Sequence, residues 1–267
     1  MSRIKQTFAK LEKNGRKALV PFVTAGDPDL ETTVDIVMAL EAAGADLIEL
    51  GMPFSDPMAD GPTIQASSER ALQQGTTLSA VIGVVRKIRQ QSSIPLVLMG
   101  YYNPVLHYGN ERFARDASAA GVDGLLMVDL PPEEAAELQQ FLRPVGIDLI
   151  TLMAPTTPQV RRAALAAVAE GYIYYVSMTG VTGTQAVDAA GIETDICDLR
   201  QISPVPVAVG FGINTPTDAR NIARFADAVV VGSALVKIIE TSLPDERLQQ
   251  VVTFVRSLRE AIDLCDD

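Results

Sequence analysis

The stretch "AGADLIEL", residues 43–50, joins the end of a helical pattern to a buried strand through an aspartate. The same arrangement recurs in "AGVDGLLMV" (120–128) and "FADAVVVG" (225–232). Each copy ends a helix, places an aspartate, and then begins an apolar run. Units of a helix followed by a strand are typical of parallel α/β folds. The repeat therefore predicts a fold of alternating helices and parallel strands.

Eight short runs rich in Val, Ile, Leu and Tyr extend this pattern over the chain, with longer segments of helical period between them. They are almost continuously apolar, as strands covered on both faces should be. Dividing 267 residues by eight gives about 33 residues per unit, the size of a βα repeat. The predicted strands are 18–24, 46–50, 95–101, 124–128, 148–152, 172–177, 206–210 and 228–232.

We therefore predict a (β/α)8 TIM barrel that forms a single domain over residues 1–267. An extra N-terminal helix and additional helical segments lie outside the eight units. An open doubly wound sheet is the alternative. It is disfavoured because no GxGxxG turn follows a predicted strand.

Composition excludes several classes of function. The chain has 22 basic and 33 acidic residues, a net charge of −11 and no basic patch, which disfavours binding to nucleic acid or an anionic membrane surface. The N-terminal residues lack the apolar core of a signal peptide, so we expect a cytoplasmic protein. The single histidine, His107, rules out a metal site with several histidines, and we interpret it as a helix or loop residue without a catalytic role. Cys197 and Cys265 lack metal-ligand spacing, and we expect no metal site.

A carboxylate inside an apolar strand is the first candidate for catalysis. In TIM barrels the reacting groups lie at the carboxyl ends of strands and in the loops that follow. Glu49 stands near the end of the second predicted strand, where alternation can point it into the barrel mouth, and Asp60 follows in the next loop. The alternative is that Glu49 pairs with a lysine below the barrel and Asp60 caps a helix.

The surroundings of the two carboxyls predict different charge states. Near Leu50, Phe22 and Met99, Glu49 would be partly desolvated, which raises a carboxyl pKa and makes it a proton donor near neutral pH. Asp60, in a wetter loop, would stay ionised.

Three glycine-containing segments after later strands predict a phosphate site. They are "VSMTGVTG" (176–183), "VAVGFGIN" (207–214) and "VVVGSALV" (229–236). Glycines let backbone N–H groups approach an anion, Ser233 adds a hydroxyl, and a helix N-terminus favours negative charge. Loops after the seventh and eighth strands are the usual phosphate site of such barrels. Simple turn glycines are the alternative.

Seven motifs together resemble those of the tryptophan synthase alpha chain family, over nearly the whole chain and in the family's order. They are "PFVTAGDPD", "LIELGMPFSDPMADGPTIQ", "GYYNPV", "DLPPEE", "VSMTGVTG", "VGFGI" and "VGSALV". The resemblance implies a carbon–carbon lyase of tryptophan biosynthesis. It would cleave indole-3-glycerol phosphate to indole and D-glyceraldehyde 3-phosphate, with no metal or organic cofactor.

The resemblance also implies roles for individual residues. Glu49 matches the family's acid-base group, and Asp60 the aspartate that stabilises charge at the indole nitrogen. Tyr174 matches an active-site tyrosine. The neighbouring Tyr172 and Tyr175 are the alternatives if the alignment with the family shifts. The implied phosphate-binding residues are Gly183, Gly210, Phe211, Gly212, Gly232 and Ser233. The implied indole pocket and mobile loop comprise Phe22, Met99, Tyr101, Leu126 and Thr182.

The family resemblance further implies a partner. Its alpha chain forms an alpha2beta2 heterotetramer with a beta chain, which carries pyridoxal phosphate and receives the indole. Pro53, Asp56 and the segment 103–110 would face that partner, so that docking could act allosterically on the catalytic loop. Many members of the family have arginine at the position of Met178, in the loop after the sixth strand. This departure leaves the implied chemistry unchanged and bears on how the loop closes.

Other functions stay open on the residues alone. A stand-alone indole-3-glycerol-phosphate lyase would share these active-site residues and differ in being active without a partner. A phosphosugar isomerase or epimerase would use the same phosphate loops. A non-enzymatic scaffold predicts loss of one carboxylate, yet both Glu49 and Asp60 are present.

Overall fold

The computed structural model describes residues 2–177, 189–210 and 212–266. Within these residues nine strands form one parallel sheet in the order β5-β4-β3-β2-β1-β9-β8-β7-β6. The strands are β1 (Ala18–Thr24), β2 (Ile48–Gly51), β3 (Leu96–Gly100), β4 (Gly124–Met127), β5 (Asp148–Leu149), β6 (Thr151–Met153), β7 (Ile173–Val176), β8 (Val207–Gly210) and β9 (Ala228–Val231).

Helices follow the strands and cover the outside of the sheet. The described helices are α1 (Arg3–Lys13), α2 (Leu30–Ala42), α3 (Pro62–Gln73), α4 (Leu78–Arg89), α5 (Tyr102–Tyr108), α6 (Asn110–Ala120), α7 (Ala136–Val145), α8 (Gln159–Ala167), α9 (Ala189–Ile202), α10 (Pro216–Ala223), α11 (Ser233–Thr241) and α12 (Pro244–Asp263). The predicted N-terminal helix is α1. None of the described helices is long and apolar enough to cross a lipid bilayer.

The sheet closes through the segment 148–153, which confirms the predicted barrel. Its first part, β5, pairs with β4, and its second part, β6, pairs with β7. The predicted fifth strand is therefore divided at Ile150, whose N–H bonds to the Leu125 carbonyl at 2.8 Å. The two end strands of the sheet, β5 and β6, belong to one continuous segment, so the sheet closes into a TIM barrel. The open-sheet alternative is wrong.

Strand alternation sorts the buried side chains into two cores. Along β1, Val20 and Phe22 belong to a cluster inside the barrel, whereas Leu19 and Val23 belong to the layer between strands and helices. On β2 the same alternation turns Ile48 and Leu50 outward. Glu49, between them, therefore points into the barrel.

Acids at the amino ends of strands explain the repeated aspartates of the sequence. Each lies just before one strand and accepts a hydrogen bond from a backbone N–H at the start of the neighbouring strand. The bonds repeat at every second strand if the segment 148–153 is counted once. They join Leu19 to Asp46 at 2.9 Å, Leu96 to Asp123 at 2.9 Å, Val207 to Asp227 at 3.0 Å and Leu149 to Glu170 at 3.1 Å.

Arginines neutralise these acids, and α1 covers the same end of the barrel. Ile4 of α1 packs against Gly124 and Phe8 against the Tyr172 ring, so the barrel interior is sealed at its amino end. The open end is the carboxyl end. The ion pairs are Arg259–Asp46 at 3.0 Å, Arg89–Asp123 at 2.6 Å, Arg200–Asp227 at 2.7 Å and Arg143–Glu170 at 2.6 Å.

Candidate active site

Glu49 is a fully buried carboxyl with one hydrogen bond to the described part of the chain. Its side chain is 0% exposed, and Oε1 accepts a hydrogen bond of 2.6 Å from the Tyr172 hydroxyl. Oε2 is buried and has no partner in the part of the chain that the structure describes. Burial raises the pKa of Glu49 to about 8, and the Tyr172 hydrogen bond opposes this rise. The carboxyl is thus mainly protonated at neutral pH, and Oε2 is the oxygen available to carry the proton.

Asp60 lies in the loop between β2 and α3, held by the end of β3. The Tyr101 hydroxyl, just after β3, bonds to the Asp60 carboxylate and accepts the Ala59 N–H at 2.9 Å. Burial raises the pKa of Asp60 to about 6, against the lowering effect of Tyr101. The sequence predicts that Asp60 is ionised because it lies in a loop exposed to water. The loop instead buries part of the side chain, so Asp60 is mainly ionised only above about pH 6.

The two carboxyls do not have the alternative structural roles. Glu49 bonds to Tyr172 and has no ion pair with a described lysine. The N-cap of α3 is Gly61, and no side-chain hydrogen bond caps that helix. Both carboxyls instead face one cavity.

This cavity opens at the carboxyl end of the barrel and holds about 490 Å³ of free space, its mouth included. No lysine or arginine is among the described residues that line it. Its apolar walls are Phe22, Ile64, Met99, Ile213 and Val230. Its polar groups and glycines are Glu49, Asp60, Tyr174, Gly212, Asn214, Gly232 and Ser233.

The side of the cavity formed by the β8 and β9 loops is suited to an anion. Ser233 is the first residue of α11, and Gly232 caps that helix without a side-chain bond, so the first-turn N–H groups stay available. Gly212, opposite, has φ +75°, a backbone conformation that favours glycine. Backbone N–H groups, a hydroxyl and a helix dipole can bind a phosphate without a basic side chain. The cavity therefore joins a proton-donating carboxyl, an ionisable carboxylate and an anion site around an apolar space.

A family model described as tryptophan synthase alpha chain matches residues 8–263. The chain belongs to the tryptophan synthase alpha chain family. It is 55% identical over 262 residues to the alpha chain of Geobacter sulfurreducens, covering 98% of this chain and 99% of that one. It is 52% identical over 264 residues to that of Burkholderia multivorans, covering 98% and 97%.

Solved structures of the family have the same fold. The tryptophan synthase alpha subunit of Legionella pneumophila superposes with a TM-score of 0.91 at 41% identity, covering 99% of both chains. A chain of the Mycobacterium tuberculosis tryptophan synthase, in its aminoacrylate-bound form, superposes with a TM-score of 0.88 at 33% identity, covering 98% of this chain and all of that one.

The structure brings most of the residues singled out by the tryptophan synthase resemblance to this cavity. Leu126 lies in the interior core, paired with Met99 across the β3–β4 ladder, and Tyr101 reaches the site through Asp60. Gly210 lies directly against the Tyr174 hydroxyl, where a Cβ would clash. The predicted residues that line the cavity are Phe22, Glu49, Asp60, Met99, Tyr174, Gly212, Gly232 and Ser233. Met178, Thr182, Gly183 and Phe211 lie outside the described residues.

The three neighbouring tyrosines divide between the two faces of the β7 strand. Tyr174 lines the cavity, and Tyr172, two residues earlier on the same face, bonds to Glu49. Tyr175 points outward and donates a hydrogen bond of 2.7 Å to Asp195. Of the two register alternatives, Tyr172 also reaches the site and Tyr175 does not.

The sequence did not single out several lining residues. Val230 could have been found, because alternation along "AVVV" places it on the inward face with Ala228. Ile64 and Asn214 had no such signal, since each follows a turn whose path the sequence does not define.

The residues with a predicted partner role lie on the same open end. Pro53 is half-buried, and Asp56 is exposed and accepts a hydrogen bond of 2.6 Å from Ser55. The segment 103–110 forms most of α5 and the start of α6, with His107 exposed. Met58, between Asp56 and Asp60, is 85% exposed.

Proposed function

We propose that this chain cleaves indole-3-glycerol phosphate to indole and D-glyceraldehyde 3-phosphate by a retro-aldol reaction, as a carbon–carbon lyase. The observation that carries the proposal is Glu49, a buried carboxyl with a pKa of about 8 and no cationic partner among the described residues. It lies in an apolar cavity whose other side is suited to a phosphate.

The proposed reaction needs one proton donor that later becomes a base. Protonated Glu49 gives its proton to C3 of the indole ring, which makes the ring an electron sink. The glycerol hydroxyl then loses its proton to the Glu49 carboxylate, the aldehyde forms, and the electrons of the breaking C–C bond restore the aromatic ring. Glu49 ends protonated, so the cycle balances without a metal or organic cofactor.

Asp60 and the cavity walls assist this step. Ionised Asp60 stabilises the positive charge that C3 protonation creates at the indole nitrogen. The pKa is about 8 for Glu49 and about 6 for Asp60. Between about pH 6 and pH 8, therefore, the combination that the reaction needs, protonated Glu49 and ionised Asp60, predominates. Apolar Phe22 and Met99 flank the ring and exclude water, which strengthens both electrostatic effects.

The proposed partner is a tryptophan synthase beta chain in an alpha2beta2 heterotetramer, with pyridoxal phosphate on the beta chain alone. Pro53, Asp56 and Asp60 belong to one loop between β2 and α3. Docking on the first two could order the third, which is a route for allosteric activation. A cytoplasmic location accords with this biosynthetic role.

The experiment that tests the function is indole release from indole-3-glycerol phosphate by the purified chain, with and without an added beta chain. Slow release that rises sharply with the partner supports the proposal. Fast release alone favours a stand-alone indole-3-glycerol-phosphate lyase. If no indole is released in either case, the proposal is wrong, and a phosphosugar isomerase, an epimerase or a non-enzymatic scaffold becomes the favoured function.

A further inference from the structure

Two adjacent backbone N–H groups at the cavity wall have no hydrogen-bond acceptor among the described residues. Gly212 and Ile213 both line the cavity, and within the described segments their N–H groups make no hydrogen bond. Ile213 is only 3% exposed. Buried N–H groups are nearly always paired. The buried Ile213 N–H, with the half-buried Gly212 N–H beside it, is therefore available to an acceptor that enters the cavity, and a phosphate oxygen on this side fits that requirement.

Asn214, the next residue, ties this short turn to α10. Its backbone N–H donates to Asp218 Oδ2 at 3.2 Å, within the capping arrangement that Thr215 and Asp218 build at the start of α10. Its side-chain Nδ2 reaches back and donates to the Gly212 carbonyl at 3.0 Å. The side chain thus holds the peptide between Gly212 and Ile213 from a fixed helix end.

The peptide between Gly212 and Ile213 can face the cavity with either its N–H or its C=O. In a trans peptide the C=O and N–H point in opposite directions, so the group that faces the cavity depends on the orientation of the peptide plane. Gly212, at φ +75°, gives the plane the freedom to turn over. A turned peptide would present a carbonyl oxygen, which repels an anion. The bond from Asn214 holds that carbonyl in place.

We propose that Asn214 is a positioning residue of the phosphate site. It holds the Gly212 carbonyl and so keeps the Ile213 N–H available to the phosphate of the substrate. This inference rests on the proposed function only for the identity of the phosphate ester. It predicts that Asn214 contributes to phosphate binding and leaves proton transfer at Glu49 unchanged.

The test compares Asn214→Ala, Asn214→Asp and the matched control Asn221→Ala, an exposed asparagine on α10. Calorimetry measures binding of inorganic phosphate and of glycerol 3-phosphate, and indole release gives KM and kcat. Loss of one neutral hydrogen bond predicts that Asn214→Ala weakens both ligands and raises KM by about fivefold, with kcat unchanged. Asn214→Asp weakens them further because it adds a negative charge, and Asn221→Ala changes nothing.

The outcomes separate this inference from the proposed function. If the wild-type chain releases indole and Asn214→Ala binds both probes normally, the inference is wrong and the function stands. If glycerol 3-phosphate is weakened but inorganic phosphate is not, Asn214 contacts the glycerol part, and the positioning role is also wrong. If the wild-type chain binds phosphate without releasing indole, weaker binding by the variants supports the inference while the function fails. No phosphate binding by the wild-type chain contradicts both.

Discussion

The acids at the two ends of the barrel are buried among similar strands but have different partners. At the amino end, Asp46 receives the Leu19 N–H and the Arg259 guanidinium, at 2.9 and 3.0 Å. At the carboxyl end, the one hydrogen bond that Glu49 accepts from the described residues comes from the Tyr172 hydroxyl, and Asp60 bonds to Tyr101. Arg259 supplies positive charge to Asp46, whereas the described partners of Glu49 and Asp60 are neutral hydroxyls.

This difference separates stability from chemistry. Burial raises the pKa of Asp46, but its backbone hydrogen bond and Arg259 oppose the rise and favour the charged form. Among the described residues only the Tyr172 hydrogen bond opposes the effect of burial on Glu49, and its pKa reaches about 8. A charged acid bound to arginine fastens strand ends together, whereas a neutral one can give its proton to a substrate. One barrel thus uses the same residue types for two tasks.

The largest expected effect is loss of turnover in Glu49→Gln. The amide keeps the shape of the side chain but cannot transfer a proton, so kcat should fall by about 10³-fold. Indole release measures this. The inverse experiment uses Asp46→Asn at the amino end, which should leave kcat within about twofold of wild type at a temperature where both are folded. A Glu49→Gln enzyme with wild-type kcat would remove Glu49 from the mechanism.

The same Glu49→Gln variant should be more stable than wild type at alkaline pH. The folded pKa of about 8 lies above the ordinary glutamate value of 4.5, so the folded state keeps a proton that the unfolded state loses. Wild-type stability therefore falls as pH rises from 4.5 to about 8, and Gln lacks this penalty. After the cost of burying an unpaired amide, we expect a net gain of about 2 kcal/mol at pH 8.

Urea unfolding at pH 4 and pH 8 measures this gain. The difference between variant and wild type should grow with pH. A constant difference would mean that Glu49 does not hold its proton in the folded state.

At the amino end, Arg259→Met should reduce stability without a change in chemistry. Arg259 is 7% exposed and bonds to Asp46, Asp263 and the Lys17 carbonyl. Its removal leaves the largely buried Asp46 carboxylate without its guanidinium partner, which costs about 3–5 kcal/mol of unfolding free energy.

Arg16→Met is the matched control, because its ion pair with Asp263 is exposed and long at 3.2 Å. We expect it to cost less than about 1 kcal/mol. Urea unfolding measures both. Equal losses in the two variants would mean that burial at the amino end does not determine the cost.

The sequence predicts the features that depend on local pattern. The apolar strands and the inward direction of Glu49 follow from composition and alternation. The repeated aspartates before strands were also visible, but Glu170, which has the same role before β7, lacks the flanking pattern. The bond of Tyr172 to Glu49 joins residues 123 positions apart, and the division of the fifth strand at Ile150 depends on which neighbour it pairs with. These features arise from closure of the barrel, which no local pattern encodes.

A smaller effect is expected from Asp60→Asn, seen in the pH profile of kcat/KM. Ionised Asp60 and protonated Glu49 together predict a bell with limbs near pH 6 and pH 8. Asparagine removes the acidic limb and lowers the maximum by about 10²-fold, since it still accepts the indole N–H but without charge. A profile that keeps its limb near pH 6 would assign that limb to another group.

The smallest effect should come from Tyr172→Phe. The Tyr172 hydroxyl stabilises the charged form of Glu49, so its loss should raise the pKa of Glu49 above about 8 and move the alkaline limb of kcat/KM to higher pH. Tyr175→Phe is the control, because that hydroxyl bonds to Asp195 on the outer face of the barrel. It should leave the limb in place even if it costs some stability. A movement of the limb to lower pH in Tyr172→Phe would mean that the hydroxyl accepts the proton of neutral Glu49 instead of donating to its carboxylate.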